Sequence, residues 1–296
     1  MVLDFTKGKY GLQLILLLFI VLISGLIFQL LGVAIINSVF NFDFSDLTSD
    51  NSSQLIMENE NGYWIFFVLM ALNSLGMFIL SSLVFSKLIS NNPNKYLLLN
   101  SKPPINFLIL LPLFSMAGLI LVSFMGELNM KLNLPEVFNL MEQNANELIN
   151  YIISFRSSGN IIATIVLMAI LPAVGEELFF RGILQKIFIQ WTKKNWVGIL
   201  ITAFIFSAIH LQFLTFLPRF FMGIMLGYLF VWSKNLLIPI IAHLLHNLIS
   251  ILVAINSETP EMEGSEFSNL WLVVISFFVM IGISYRYYSI SRKTHV

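Results

Sequence analysis

IIATIVLMAILPAVGEELFFRGILQKIFIQW, residues Ile161–Trp191, decides the fold. The run is long and apolar enough to cross a bilayer, whose hydrocarbon core takes about 20 helical residues. In its middle stand two adjacent carboxylates, Glu176 and Glu177, and the guanidinium of Arg181. Ionisable groups at membrane depth cost roughly 2.5–3.5 kcal/mol each on insertion scales unless they are paired or hydrated. A functional site is the default reason for keeping them there, and a structural ion pair locking two helices is the alternative.

The rest of the chain places this run in its solvent. Of 296 residues, 57% are hydrophobic and 11% charged, and mean hydropathy is +0.86. That composition belongs to a polytopic membrane protein rather than a soluble domain. The formal net charge is +0, so the total says nothing about partners; a lipid bilayer is expected and no nucleic acid. There is no cysteine, which excludes disulfides, thiolate nucleophiles and cysteine metal sites. The apolar run Tyr10–Phe40 is too long for a signal-peptide core and lacks a small-residue cleavage site, so no cleavable signal is expected.

About eight apolar runs have transmembrane character, near 10–38, 63–86, 105–125, 160–190, 196–217, 219–233, 236–255 and 269–285. Open strands cannot satisfy their backbone groups in lipid, so the expected class is all-α, a bundle of about eight transmembrane helices. Every basic residue except Lys131, Arg156 and Arg219 falls on one side of this arrangement. The positive-inside rule then predicts a multi-pass protein of the cell membrane with both termini cytoplasmic. The acids of Asn41–Asn61 and Glu258, Glu261, Glu263 and Glu266 fall on the other side. Between Glu127 and Ser158 the pattern from Pro135 to Phe155 predicts an amphipathic helix on the outer surface, read as a connector with a lid as the alternative. The domain reading is 1–158 for the N-terminal spans, outer loops and connector, 159–256 for a catalytic core, and 257–296 for an acidic loop and the last span.

Glu177 and Arg181 are spaced i, i+4 with the acid first, the favourable order for a helical ion pair. The expected division of labour has Glu177 neutralise Arg181 and leaves Glu176 facing a cavity as a base usable near neutral pH. Two further spans carry polar groups, Phe206-Ser207-Ala208-Ile209-His210 and His243-Leu244-Leu245-His246-Asn247. At ~1.5 Å per residue, Glu176 and His210 both lie roughly 22–26 Å from the inner turn. Asn247 lies about 17 Å in by the same rise. Three spans can therefore converge on one pocket, whose mouth is expected on the cytoplasmic side between the spans bearing the motifs, with Arg181 near it.

Glu-Glu-x-x-x-Arg (Glu176, Glu177, Arg181), Phe-x-x-x-His (Phe206, His210) and His-x-x-x-Asn (His243, Asn247), in this order on three spans, resemble the CPBP family. These are the CAAX-prenyl-protease type II and bacteriocin-processing proteins, also called Abi. Arg219-Phe-Phe-Met-Gly223-x-x-x-Gly227 also looks like the family, and its small-x-x-x-small spacing suits close helix packing. The resemblance covers roughly residues 160–255 and implies an intramembrane protease acting on a membrane-associated peptide or protein. It implies that Glu176 and His210 activate a water while His243 and Asn247 stabilise the oxyanion. Glu177, Arg181, Phe206 and His246 take supporting places, His246 behind the others.

No metal or other cofactor is expected, because the glutamate–water chemistry needs none and there is no His-Glu-x-x-His helix. The metal-dependent alternative would place zinc on Glu176, His210 and His243. Two other function classes stand beside the protease: a non-proteolytic membrane scaffold or regulator with the same fold, and a proton-coupled transporter. Transporters usually show paired repeats and broken helices in both halves, and the sequence displays neither. The substrate and the oligomeric state are not legible in it.

Overall fold

The computed structural model describes residues 8–49, 52–256 and 269–293. Lys7, Asp50 and the four glutamates of the last outer loop lie outside them. Every regular element among the described residues is helical. The main helices are α1 (Tyr10–Phe40), α2 (Gly62–Ile89), α3 (Ile105–Met130), α4 (Glu136–Ser154), α5 (Ser158–Thr192), α6 (Asn195–Ala208), α7 (Phe216–Ser233), α8 (Leu237–Asn256) and α9 (Leu270–Lys293). Three short helices, Phe44–Leu47, Ser52–Glu58 and Pro93–Tyr96, lie in the connections.

Among the described residues, seven helices are long and apolar enough to cross a membrane, α7 together with the turn Phe213–Thr215 that leads into it. α1 and α9 bear whole flanks of exposed apolar side chains, among them Leu18, Leu22, Leu26, Phe277 and Phe278. Such continuous apolar surface is tolerated against lipid and not against water. The chain is a polytopic helical membrane protein.

The fifth expected span is cut short. Residues 196–217 read as one apolar run, yet α6 ends at Ala208 after 14 residues. At ~1.5 Å per residue it covers about 21 Å, less than the ~30 Å hydrocarbon core. The chain then turns through His210 and through Leu211, whose φ is 56°. Irregular backbone at membrane depth needs partners inside the protein, and the neighbouring helices supply them. Asn129 of α3 donates from Nδ2 to the Phe213 carbonyl at 2.9 Å, and its Oδ1 accepts from the Leu217 amide at 2.8 Å. Ser207 donates to the Phe216 carbonyl at 2.6 Å. A broken helix of the kind not seen in the sequence is therefore present at this one place.

α6 packs between the C-terminal part of α5 and α7. Gly223 and Gly227 permit this approach: a Cβ on Gly223 would lie 2.9 Å from the Ala203 Cβ, and one on Gly227 2.8 Å from Gln185 Oε1. α3 packs against α7, α8 and α9, while α1 and α5 both pack on α2. α5 runs unbroken through two wide π-helical turns, Val166–Ile170 ahead of Pro172 and Phe180–Leu184 around Arg181. Interruptions of this kind occur often at functional sites.

Candidate active site

Glu177 and Arg181 face each other across one turn of α5, at 2.8 Å and with no solvent exposure. Arg181 also donates from Nη2 to the Gly223 carbonyl at 3.1 Å. One turn on, Gln185 donates to the Gly227 carbonyl at 3.0 Å. The side chains of α5 thus bond the backbone that the two glycines leave bare. Arg181 does not line the cavity and is not at a mouth, contrary to the sequence expectation. Its guanidinium is consumed in bracing α5 on α7.

Glu177 does more than balance that charge. The same Oε1 that accepts from Arg181 accepts from His243 Nδ1 at 2.9 Å. This bond joins residues 66 positions apart, and the helical spacing contains no trace of it. An ionised carboxylate only accepts, so Nδ1 of His243 carries a proton and Nε2 is the nitrogen left for a substrate. His210 is fixed by the same logic. Its Nδ1 lies 2.7 Å from the Phe206 carbonyl, which can only accept, so Nε2 holds the free lone pair.

Phe206 is the hub of these contacts. Arg181 Cζ sits 4.9 Å from its ring centroid, in cation–π range. The rings of His210 and His243 stand edge-on to it at 5.3 and 6.3 Å.

Glu176, on the neighbouring face of α5, lines a cavity of about 870 Å³. His210, His243, His246 and Asn247 line it as well, so α5, the turn after α6, and α8 deliver their polar residues to one space. His246, expected behind the site, is on its wall. The remaining wall is mostly apolar and comes from more of the chain than the motif-bearing spans. Leu14, Leu17, Leu18 and Val21 of α1, Asn73, Ser74 and Met77 of α2, Ser123 of α3, and Ile149 and Ile152 of α4 all contribute. α4 is accordingly more than a connector, since Ile149 and Ile152 line the cavity; it also buries Glu142. The lining residues that are also exposed, Leu18, Met70 and Ile209, come from α1, α2 and the turn after α6.

Arg219 also lines the cavity. In the sequence it reads as a charge at the outer end of a span. Asn73 and Ser74 were missed too, although polar residues in the middle of an apolar run are the same kind of signal as Glu176. Among the described residues no three His or carboxylate side chains come close enough together to form a metal-binding cluster.

Comparison with known proteins agrees with the motif-bearing part of the chain. Residues 158–249 match the family model described as type II CAAX prenyl endopeptidase Rce1-like. This segment is similar to that family. A 24.3 kDa protein of Escherichia coli described as uncharacterized is 34% identical over 95 residues, 30% of this chain and 43% of that protein. The protein YpbD of Bacillus subtilis, also described as uncharacterized, is 33% identical over 86 residues, 28% of this chain and 41% of YpbD. The match thus spans about two fifths of the length of either relative. No solved structure gives a significant match. The matched segment contains all three motifs, while α1 to α4 and α9, which fall outside it, wall the cavity or pack around it.

Proposed function

We propose that the protein is an intramembrane endopeptidase that hydrolyses a peptide bond of a membrane-associated substrate. The observation that carries this reading is the convergence of Glu176, His210, His243 and Asn247 on one cavity at membrane depth. A water held by Glu176 and by Nε2 of His210 gives up a proton to the Glu176 carboxylate as its oxygen attacks the scissile carbonyl carbon. The oxyanion that forms accepts from the Asn247 amide and from Nε2–H of His243, acting in its doubly protonated form with Nδ1–H given to Glu177. The C–N bond then breaks, and the proton taken from water passes to the leaving amine.

No step is routed through a metal; zinc on Glu176, His210 and His243 is the alternative that chelation tests. Exposed lining residues that are apolar, Leu18, Met70 and Ile209, suit a substrate that is itself embedded in lipid. The basic loops orient both termini to the cytoplasm of the cell membrane.

The test compares Glu176→Gln with wild type at matched expression, using cleavage of a membrane-tethered peptide library followed by mass spectrometry. Cleavage is expected to fall at least about 100-fold, the lower range for a positioned general base. Retained cleavage would sink the proposal. A scaffold or a transporter would show no cleavage in the wild type either.

A further inference from the structure

One cavity-lining charge has no part in the chemistry just described. Arg219 enters the cavity from the first turns of α7. Its guanidinium is held by neutral acceptors. Nη2 donates to Gln212 Oε1 at 2.7 Å, and Nη1 donates to the Gln212 carbonyl at 3.4 Å and to Thr215 Oγ1. Glu142 of α4 meets Gln212 and Thr215 at 3.4 and 3.5 Å. A guanidinium has five N–H donors. Three are engaged here, leaving two donors and the positive charge on a residue that lines the cavity. Arg219 is close enough to Glu176 and His210 to act on both electrostatically.

Arg181 shows what the fold does with a structural guanidinium. It is buried completely and given a carboxylate. Arg219 is half-buried, oriented by its neighbours and left without a carboxylate within ion-pair distance among the described residues. Such a group at membrane depth is suited to an anion that arrives with a ligand, since a planar fork matches a carboxylate in two-point contact. A peptide offers this chemistry from two sources, its terminal carboxylate and an Asp or Glu side chain.

We propose that Arg219 is a substrate-positioning residue whose guanidinium receives a carboxylate of the bound peptide and so fixes which way the peptide runs past His210. This rests on the peptidase reading above, and its test reads binding rather than cleavage so that the two fail separately. The protein is purified in dodecyl maltoside on the Glu176→Gln background, and three probes are compared by displacement of a fluorescent analogue. They are N-dodecanoyl-Leu-Val-Phe with a free carboxylate, the same peptide as its carboxamide, and N-dodecanoyl-Leu-Asp-Phe carboxamide.

At least one carboxylate-bearing probe is expected to bind about tenfold or more tighter than the neutral carboxamide, the effect of one charge-assisted hydrogen bond. Tight binding by the first probe assigns the anion to the chain terminus, and by the third to a side chain. Adding Arg219→Gln is expected to remove the preference while leaving the affinity of the neutral probe unchanged. Arg219→Lys, which keeps the charge but not the fork, should retain part of it and so separates the effect from misfolding. Equal binding of charged and neutral probes, a preference that survives Arg219→Gln, or no saturable binding of either carboxylate by folded protein would each overturn the inference. Cleavage that persists in Glu176→Gln would count against the peptidase mechanism and not against this assignment.

Discussion

Replacing Glu177 with glutamine removes one charge and keeps the shape, and the structure sets what that does. Oε1 of Glu177 accepts two bonds, from Arg181 at 2.8 Å and from His243 at 2.9 Å. Glutamine keeps an acceptor oxygen but not the charge, so both bonds fall from the charged range of about 1.5–3 kcal/mol toward about 0.5–1.5 kcal/mol each. Breaking one side of a buried ion pair gives about 3–5 kcal/mol independently, because the other charge is left uncompensated. Arg181 has no solvent exposure through which to recover hydration. Glu177→Gln should therefore destabilise the fold by about 3–5 kcal/mol, read as reversible unfolding in mixed dodecyl maltoside and SDS micelles.

The double variant Glu177→Leu with Arg181→Met removes both charges together. It should recover most of that stability, since apolar replacement of a buried pair is often neutral or stabilising. It should not recover activity, because His243 still lacks the acceptor that fixes its Nδ1 proton. A loss below about 1 kcal/mol for Glu177→Gln, far under the range for a broken buried pair, would refute the energetic argument. Full peptide cleavage by the double variant would refute the positioning of His243 through Glu177.

Asn129→Leu strands the Phe213 carbonyl and the Leu217 amide, which Asn129 alone bonds from its side chain. At about 1–3 kcal/mol per stranded group it should lower stability by at least ~1 kcal/mol and increase labelling of a cysteine placed at Ile209, whereas unchanged labelling would mean the turn does not depend on α3. Cleavage by purified protein is expected to survive thorough chelation; stoichiometric zinc lost together with activity, and restored by zinc alone, would instead give His210 and His243 ligand roles. Cysteine scanning is free of native background because the chain has no cysteine. An impermeant maleimide should label a cysteine at Ser52 in intact cells and not one at Ser291, and the reverse result would invert the topology.

Membrane residence, the all-helical class and the motif residues were legible in the sequence because their signals are local. Hydropathy over about 20 residues identifies a span, lipid then admits little besides helix, and a carboxylate in an apolar run is conspicuous without a structure. The Glu177–Arg181 pairing belongs here too, being set by i, i+4 spacing on a single helix.

The rest depended on partners distant in the chain. Nothing in residues 196–217 marks the end of α6 at Ala208, because the turn exists only where Asn129, 84 positions from Phe213, bonds its freed backbone. The second bond of Glu177 awaited His243, and the burial of Arg181 awaited a bare carbonyl at Gly223. Arg219 sits near the start of an apolar run in sequence, and only the turn holding it through Gln212 and Thr215 directs it into the cavity. α4 reads as a surface helix by periodicity, yet its packing over α8 and the turn before α7 makes it a wall of the site. Local composition determines which solvent a segment meets, whereas the tertiary structure decides which of its polar groups meet one another.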